Sequence, residues 1–287
     1  MDKVAFLGLG TMGAGMAARV AAAGFPLVVW NRSTARADAF KGRADTAASP
    51  GEAAAEADVI IAMLADDRAS RDTWLSAGGV LSRARRGTLF IESSTLSPAW
   101  IVELAAAATA AGCELIDAPV TGSKAQAANG ELRFLAGGSA PAIARATPVL
   151  KTMGADIVHV GPTASGARLK LINNFLCGVQ AASLAEAVAV IERSGLDRDA
   201  ALAVLANGAP GSPLVKAVSA RMAKSDYAVN FSMNLLRKDL TYAIDEALLH
   251  GVPLTTVLTA RELFSRATEL GLGERDFSAV VELTRQR

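Results

Sequence analysis

The chain has 287 residues, of which 51% are hydrophobic and 20% are charged, and its formal net charge at pH 7 is +1. This length allows one large domain or two smaller ones, with a core that needs no disulfides or metal ions for stability. The charges are interspersed, so no nucleic-acid or membrane-surface partner is expected. Two separated cysteines, Cys113 and Cys177, and two histidines offer no metal-ligand cluster, so we expect no metal site.

The N-terminus predicts neither a leader nor a membrane anchor. Its apolar segment is short and interrupted by glycine, and no cleavage-site pattern follows it. No uninterrupted apolar run of about 18 residues occurs in the sequence. We therefore expect a soluble, cytoplasmic protein without a membrane partner.

Short apolar segments alternate with helical segments in the first half of the chain. Buried strands are predicted at residues 4–7, 27–30, 59–64, 88–92, 114–118, 132–136 and 157–160. Helical stretches lie between most of them, beginning with residues 11–23. This alternation predicts an α/β fold whose N-terminal Rossmann domain, a doubly wound parallel sheet, covers residues 1–162.

The pattern changes after Gly161 and Pro162, and no strand is predicted beyond them. Residues 163–287 are therefore expected to form an all-α domain, joined to the first by a long helix at about 164–193. The length and apolar character of this helix indicate a spine between domains or a subunit interface, and a homodimer or homotetramer is expected. Further helices are predicted at residues 198–206, 213–223, 234–249, 254–270 and 276–283.

A glycine-rich segment follows the first predicted strand and opens the first predicted helix. A GxGxxG pattern in that setting is typical of a dinucleotide-binding loop, in which the backbone approaches the pyrophosphate and the helix N–H groups bind it. The first glycine permits the tight turn, and the third lets the helix pack closely on the strand. The predicted cofactor contacts are Gly8, Leu9, Gly10, Thr11, Met12 and Gly13.

The end of the second predicted strand distinguishes NAD from NADP. NAD-binding proteins usually carry an acidic residue there, which accepts a hydrogen bond from the ribose 2′-hydroxyl. This sequence has Asn31, Arg32 and Ser33 instead. Arg32 is suited to a charge-assisted contact with a 2′-phosphate, and Asn31 and Ser33 offer further donors. The predicted cofactor is therefore NADP (NADPH).

Four segments together resemble the β-hydroxyacid dehydrogenase family, which includes 3-hydroxyisobutyrate dehydrogenase. They are GLGTMGAGMA at residues 8–17, DAPVTGS at 117–123, GPTASGARLKLINN at 161–174 and KDL at 238–240. The segment APVTGSK is similar to the glyoxylate/succinic semialdehyde reductase branch, because other branches more often have a second glycine at the position of Ser123. One departure is Ala164, where the family usually has glycine, and only a small local shift is expected from its methyl group.

The resemblance implies a catalytic role for Lys170 and Asn174. Their spacing of four places them on one face of a predicted helix. Hydride transfer to a carbonyl leaves negative charge on oxygen, which needs a proton. The resemblance makes Lys170 the general acid in reduction and the general base in oxidation. Asn174 is implied to hold the substrate oxygen or the lysine.

Further site residues are implied by the same resemblance. A loop after the fifth predicted strand would bind the substrate carboxylate, an aromatic residue would close over the nicotinamide or substrate, and an aspartate would support the site. These substrate-side residues are Thr121, Gly122, Ser123, Phe231 and Asp239. The implied additional cofactor contacts are Leu64, Thr95 and Lys238.

The resemblance predicts NADPH-dependent reduction of short aldehyde acids, with succinic semialdehyde or glyoxylate converted to 4-hydroxybutyrate or glycolate. A dehydrogenase of the 3-hydroxyisobutyrate or tartronate semialdehyde type is the nearest alternative. Imine reductases share the architecture but usually lack a lysine at the position of Lys170. A non-catalytic NADP-binding module is a further alternative, which the presence of Lys170, Asn174, Thr95 and Ser123 disfavours.

Overall fold

The structure is a computed structural model that describes residues 1–285. It contains two compact units, Met1–Lys170 and a second unit that begins at Leu171. The predicted domain boundary after residue 162 stays a prediction. Residues 286 and 287, which belong to the predicted second domain, lie outside the described residues.

The first unit is built on a nine-stranded sheet with helices between its strands. The strands are β1 (Val4–Leu7), β2 (Leu27–Trp30), β3 (Asp45–Thr46), β4 (Val59–Ala62), β5 (Leu89–Glu92), β6 (Glu114–Asp117), β7 (Val120–Thr121), β8 (Leu132–Gly137) and β9 (Gly154–Gly161). The helices are α1 (Gly13–Ala22), α2 (Thr34–Asp38), α3 (Pro50–Ala54), α4 (Asp67–Leu75), α5 (Pro98–Ala110), α6 (Lys124–Asn129) and α7 (Ala140–Met153). The long helix α8 (Ser165–Arg193) begins in this unit.

The strand order is β3-β2-β1-β4-β5-β6-β8-β7, with β9 beside β8. The pairs from β3 through β6 are all parallel, which confirms the predicted doubly wound Rossmann sheet. The parallel pattern does not continue to β8, which runs antiparallel to β6 and β7. The only helix between β6 and β8 is the six-residue α6, and the chain turns back along the sheet instead of crossing over it. The two-residue strands β3 and β7 are too short to carry a sequence pattern.

Both faces of the central strands are buried, which explains their continuous apolar runs. In β1, Val4 and Phe6 pack into one apolar core, and Ala5 and Leu7 pack into a second core. Alternating side chains point to opposite faces of a strand, so the two layers of helices each cover one set. Because these strands are parallel, their carboxyl ends lie at the same edge of the sheet. The loops that follow the strands at this edge carry most of the predicted site residues.

The second unit is helical, and its described residues form no strand, as predicted. Its helices after α8 are α9 (Arg198–Asn207), α10 (Pro213–Lys224), α11 (Met233–Leu249), α12 (Thr255–Ala267) and α13 (Val281–Arg285). Helix α11 is capped by the Ser232 side chain and begins one residue earlier than predicted. Helix α12 ends earlier than predicted and continues as a π turn, and α13 is preceded by a 3₁₀ turn.

Helix α8 is long and apolar enough to span a membrane when judged by length and composition alone. Half of its most apolar 18-residue window is buried in the protein. The core helix of a globular protein passes the same test, so this single match is weak evidence for a membrane span.

Candidate active site

The glycine-rich loop turns tightly between β1 and α1. Gly8 has a φ of +97°, and a Cβ atom at this position would lie 2.3 Å from the carbonyl oxygen of Met63. A Cβ atom on Gly13 would lie 2.0 Å from the carbonyl oxygen of Gly8. At Gly10 the nearest atom to such a Cβ is Arg36 Nη1 at 3.6 Å, so this side of the loop is open. The open side and the N–H groups of the first turn of α1 fit a dinucleotide pyrophosphate.

The loop is tied to the end of β2 by one side chain. The backbone N–H of Leu9 donates to Asn31 Oδ1 at 2.8 Å, and Asn31 Nδ2 donates to the carbonyl of Ser33 at 2.9 Å. One of the two N–H groups of the Asn31 amide is therefore used within this segment, and the predicted contact of Asn31 with a phosphate stays a prediction. Thr11 is exposed, and Met12 occupies the cap position of α1 without a side-chain hydrogen bond.

Two guanidinium groups lie in the segment after β2. Arg32 is exposed, as is its neighbour Ser33. Arg36, which the sequence analysis did not select, donates from Nη1 to the carbonyl of Leu9 at 3.3 Å. Arg36 lies in α2, only three residues after the predicted phosphate-contacting segment Asn31–Ser33, and this closeness in sequence was the available signal.

The loops after β4 and β5 are joined by a hydrogen-bond chain. The backbone N–H of Leu64 donates to Ser94 Oγ at 2.6 Å, and Ser94 Oγ donates to the Glu92 carboxylate. The backbone donor of Leu64 is therefore already used, and contact with a cofactor would have to come from its carbonyl or side chain. Thr95 follows Ser94 directly and is half-buried.

Glu92 is a fully buried carboxylate that anchors this chain. Ser70 Oγ and Trp74 Nε1 each donate to Glu92 Oε2 at 2.8 Å, and Trp100 Nε1 donates to Ser70 Oγ at 2.9 Å. Burial raises the pKa of Glu92 above its ordinary value, although the hydrogen bonds from Ser94, Trp74 and Ser70 act in the opposite direction. No sequence pattern indicated this network, because its members are spread over three elements.

The predicted substrate loop begins at Thr121, the last residue of β7, and continues through Gly122 and Ser123 to the start of α6. Thr121 and Ser123 are half-buried and Gly122 is exposed. The backbone N–H of Ser123 donates to Gln126 Oε1 at 2.7 Å, so this N–H is not a free donor for a carboxylate. The hydroxyl groups of Thr121 and Ser123 are the polar side-chain groups that the loop itself offers. Gln126 was not selected from the sequence.

Lys170 lies near the start of α8 and is half-buried. The helix start is held by Asp117 at the end of β6, whose Oδ1 accepts from the N–H of Ala164 at 2.7 Å and whose Oδ2 accepts from the N–H of Ala167 at 2.8 Å. Burial raises the pKa of Asp117 to about 6, against the opposing effect of these backbone hydrogen bonds. Ala164 has a φ of +72°, a conformation that explains why glycine is usual at this position.

Asn174 and Asp239 meet inside the second unit. Asn174 Nδ2 donates to Asp239 Oδ2 at 2.6 Å, and both side chains are almost fully buried. Lys238 Nζ lies 2.9 Å from Asp239 Oδ1 and 5.0 Å from the centre of the Tyr242 ring. The structure therefore brings three predicted residues into one charged cluster. Tyr242 was not selected, although it follows Lys238 by four positions on α11.

Phe231 is half-buried and packs edge-on against Phe277, with ring centroids 5.8 Å apart. Its backbone N–H donates to Asp276 Oδ2 at 3.2 Å. These two contacts fix the position of Phe231, which lies in the segment just before α11. Within residues 1–285, no group of three or more His, Cys, Asp or Glu side chains is arranged to hold a metal ion.

A glycine-rich phosphate-binding turn on a Rossmann sheet, followed by an all-helical unit, defines a nicotinamide-dinucleotide oxidoreductase. Residues 3–161 match the family model of the NAD-binding domain of 6-phosphogluconate dehydrogenase. Residues 164–284 match the model described as the NAD-binding region of NADP-dependent 3-hydroxyisobutyrate dehydrogenase.

Curated relatives and solved structures match the whole chain. Glyoxylate/succinic semialdehyde reductase 1 of Arabidopsis thaliana is 33% identical, over 98% of this chain and 97% of that protein. The 3-sulfolactaldehyde reductase of Escherichia coli is 35% identical, over 99% of this chain and 96% of that protein. The structure of Mycobacterium tuberculosis 3-hydroxyisobutyrate dehydrogenase with L-serine has a TM-score of 0.90 at 32% identity and covers 100% of both chains.

The chain belongs to the β-hydroxyacid dehydrogenase family. It is an NAD(P)-dependent oxidoreductase that acts on hydroxy acids. The predicted family and enzyme class are thereby confirmed.

Proposed function

We propose that this protein reduces short aldehyde acids, of the size of glyoxylate or succinic semialdehyde, with NADPH. Support comes from relatives named for glyoxylate, succinic semialdehyde and sulfolactaldehyde reduction, each about one-third identical over nearly the full chain. These substrates share a carbonyl group and an anionic group a few bonds apart. A hydroxyl-bearing loop at Thr121 and Ser123 suits the anionic end of such molecules.

NADPH is proposed over NADH because of the charges after β2. No carboxylate occupies the position of Asn31, so nothing there repels a phosphate or accepts from a ribose hydroxyl. The exposed Arg32 and the neighbouring Arg36 supply positive charge to a 2′-phosphate. Bound NADPH would supply the hydride for carbonyl reduction.

Lys170 is the proposed general acid, and its placement is the observation that carries the proposal. It is a half-buried lysine on a helix whose first turn is held by hydrogen bonds from the backbone N–H groups of Ala164 and Ala167 to Asp117. It would donate a proton to the carbonyl oxygen during reduction and accept one from the hydroxyl during oxidation. Asn174, one turn later on α8, is proposed to orient the substrate oxygen or the lysine.

The test is steady-state oxidation of NADPH, with NADH as the comparison, against a panel of carbonyl acids. The panel contains glyoxylate, succinic semialdehyde, tartronate semialdehyde, methylmalonate semialdehyde and 3-sulfolactaldehyde. The highest kcat/KM is expected with glyoxylate or succinic semialdehyde. A clear preference for one of the other three would keep the reaction and the class of short aldehyde acids but reject glyoxylate and succinic semialdehyde as the preferred substrates. Inactivity with all five would reject the proposed function.

Two lysine variants separate the mechanism from the substrate assignment. Lys170→Ala should bind NADPH with unchanged affinity and lose about 10²–10⁴-fold in kcat, the range of general acid catalysis. Lys224→Ala, at the end of α10, is the matched control and should keep full activity. Full activity in Lys170→Ala would exclude the lysine as the proton donor.

A further inference from the structure

We propose that Asp117 is a positioning residue, which fixes the first turn of α8 and through it the ammonium group of Lys170. This inference rests on the proposed role of Lys170. Asp117 belongs to β6, about fifty positions before the start of α8 in the chain. Its carboxylate is fully buried, so it does not itself contact solvent.

The carboxylate takes the place of a missing helix cap. The residue before the first helical position is Ala164, which has no side-chain acceptor, whereas helices usually begin after Ser, Thr, Asp or Asn. The first N–H groups of a helix have no acceptor within the helix. Asp117 accepts from two of them, at Ala164 and Ala167, with one oxygen each. Lys170 follows Ala167 by three positions, so the capped turn leads directly into the turn that carries it.

The bonded conformation is one that an alanine rarely adopts. Ala164 has a φ of +72°, where the Cβ atom crowds the neighbouring carbonyl group. Its methyl group is fully buried in the apolar core on one face of the sheet. The hydrogen bond from the Ala164 N–H to Asp117 therefore holds a strained residue in place. Without this bond, the strain would favour a different start to α8.

Two glycines enclose the carboxylate. A Cβ atom on Gly137 would lie 2.5 Å from Asp117 Oδ1, and a Cβ atom on Gly166 would lie 2.9 Å from Asp117 Oδ2. The Gly166 backbone also lies against β8, because its Cβ atom would be 2.1 Å from the Leu135 carbonyl oxygen. The side chain is therefore confined to one position. Because the Asp117 carboxylate cannot move, the N–H groups at the start of α8 that donate to it are held in place as well.

Electrostatics favours the same arrangement at neutral pH. The raised pKa of about 6 leaves Asp117 ionised above that pH. A negative charge at the N-terminus of a helix interacts favourably with the helix dipole, and α8 is 29 residues long. The isosteric amide in Asp117→Asn removes the charge and turns an NH₂ group toward one of the two N–H donors. That variant thus loses one of the two bonds with little change in volume.

The experiment compares Asp117→Asn, Ala164→Gly and the double variant with the wild-type protein. Asp117→Asn should lower kcat about tenfold or more and leave the KM for NADPH within about twofold, because Lys170 moves while the glycine-rich loop does not. Glycine adopts a positive φ without strain, so Ala164→Gly should restore most of the lost kcat in the Asp117→Asn background. Asp156→Asn, which breaks an exposed ion pair with Arg133, is the control and should change neither parameter.

A second readout does not depend on turnover. Amide hydrogen exchange of residues 164–170 and the rate of acetylation of Lys170, both followed by mass spectrometry, should rise several-fold in Asp117→Asn and return toward wild type in the double variant. Unchanged exchange and acetylation in a folded Asp117→Asn protein would overturn the proposal. Equal losses of kcat in the single and double variants would overturn it as well.

The results that would reject the proposed function differ from those that would reject the role of Asp117. If the wild-type protein reduces no aldehyde acid, or if Lys170→Ala is fully active, the role of Lys170 is rejected. The exchange and acetylation data still decide whether Asp117 fixes the start of α8.

Discussion

The backbone N–H of Leu9 donates a 2.8 Å hydrogen bond to Oδ1 of Asn31, which joins the glycine-rich loop after β1 to the end of β2. The same asparagine donates to the Ser33 carbonyl, so one side chain sets the shape of both segments. This position is where an NAD-binding protein would place an acidic residue. The choice between the two cofactors is therefore coupled to the shape of the loop.

Asn31→Asp should change the cofactor preference from NADPH toward NADH. The carboxylate can still accept from Leu9, but it adds negative charge where a 2′-phosphate would lie and offers an acceptor to a 2′-hydroxyl. The KM for NADPH should rise by about tenfold or more, whereas the KM for NADH should stay constant or fall. Both are measured by steady-state kinetics at fixed aldehyde concentration. Parallel increases for the two cofactors would mean that the substitution only distorts the loop.

Arg32→Ala and Arg36→Ala should each weaken NADPH binding more than NADH binding. A charge-assisted hydrogen bond to phosphate contributes about 1.5–3 kcal/mol, so a loss of roughly 10–100-fold in NADPH affinity is expected for a direct contact. Arg43→Ala is the matched control, because Arg43 stacks over Phe40 and bonds the Ala39 carbonyl instead. Fluorescence titration of the two cofactors gives the affinities. Equal effects on NADH and NADPH would assign Arg36 to loop structure through its bond to Leu9.

Asn174 and Asp239 should be energetically coupled. Their 2.6 Å hydrogen bond joins a buried amide to a buried carboxylate, and removal of either partner leaves the other without it. A double-mutant cycle with Asn174→Ala and Asp239→Ala, measured by urea unfolding, should give a coupling energy of about 1–3 kcal/mol. The exposed pair Asn129 and Glu131, 3.4 Å apart, serves as the control and should give a value near zero. Additive effects at the buried pair would contradict this coupling.

The difference in stability between the wild-type protein and Asp117→Asn should depend on pH. Burial raises the folded-state pKa of Asp117 from 3.8 to about 6, so the folded protein holds this proton more tightly than the unfolded chain does. The stability linked to this proton is present in full below about pH 4 and is lost as the pH rises through 6. Relative to Asp117→Asn, the free energy of unfolding should fall by up to about 3 kcal/mol between pH 4 and pH 7.

This dependence is measured by urea unfolding of both proteins at several pH values, because the comparison cancels the titration of all other groups. The pKa of Glu92 is also raised by burial, so Glu92→Gln should show a difference of the same sign. A pH-independent difference for Asp117→Asn would mean that the carboxyl group titrates normally in the folded protein.

The strands and the glycine-rich loop were predictable because their signals are local. A run such as Val4–Leu7, bounded by glycines, specifies a buried strand without reference to the rest of the chain. The antiparallel strand β8 was not predictable, because strand direction depends on which partner the chain meets after a turn. The sequence showed Asp117 only as part of the DAPVTGS segment. Its contact with the start of α8 could not be predicted, because the two N–H groups that donate to it lie on another element.

The same distinction applies to the candidate site. Lys170 and Asn174 could be placed on one helix face from their spacing. Arg36 could have been found from its closeness in sequence to the predicted phosphate-contacting segment Asn31–Ser33. The hydrogen bonds of Asn31 and of Ser123 were hidden, because a sequence does not show whether a donor is already used. Glu92 carried no signal, since a glutamate at a strand end is most often exposed.

The buried carboxylate of Glu92 has a consequence for the thermodynamics of cofactor association. Through Ser94 it immobilises the loops after β4 and β5 before any ligand arrives, so their conformational entropy is lost during folding. Ordering of these loops should then contribute little to the entropy of dinucleotide binding. The heat-capacity change of binding should reflect the burial of surface and not the folding of these loops. Calorimetry of Glu92→Gln should show a more unfavourable binding entropy than the wild-type protein.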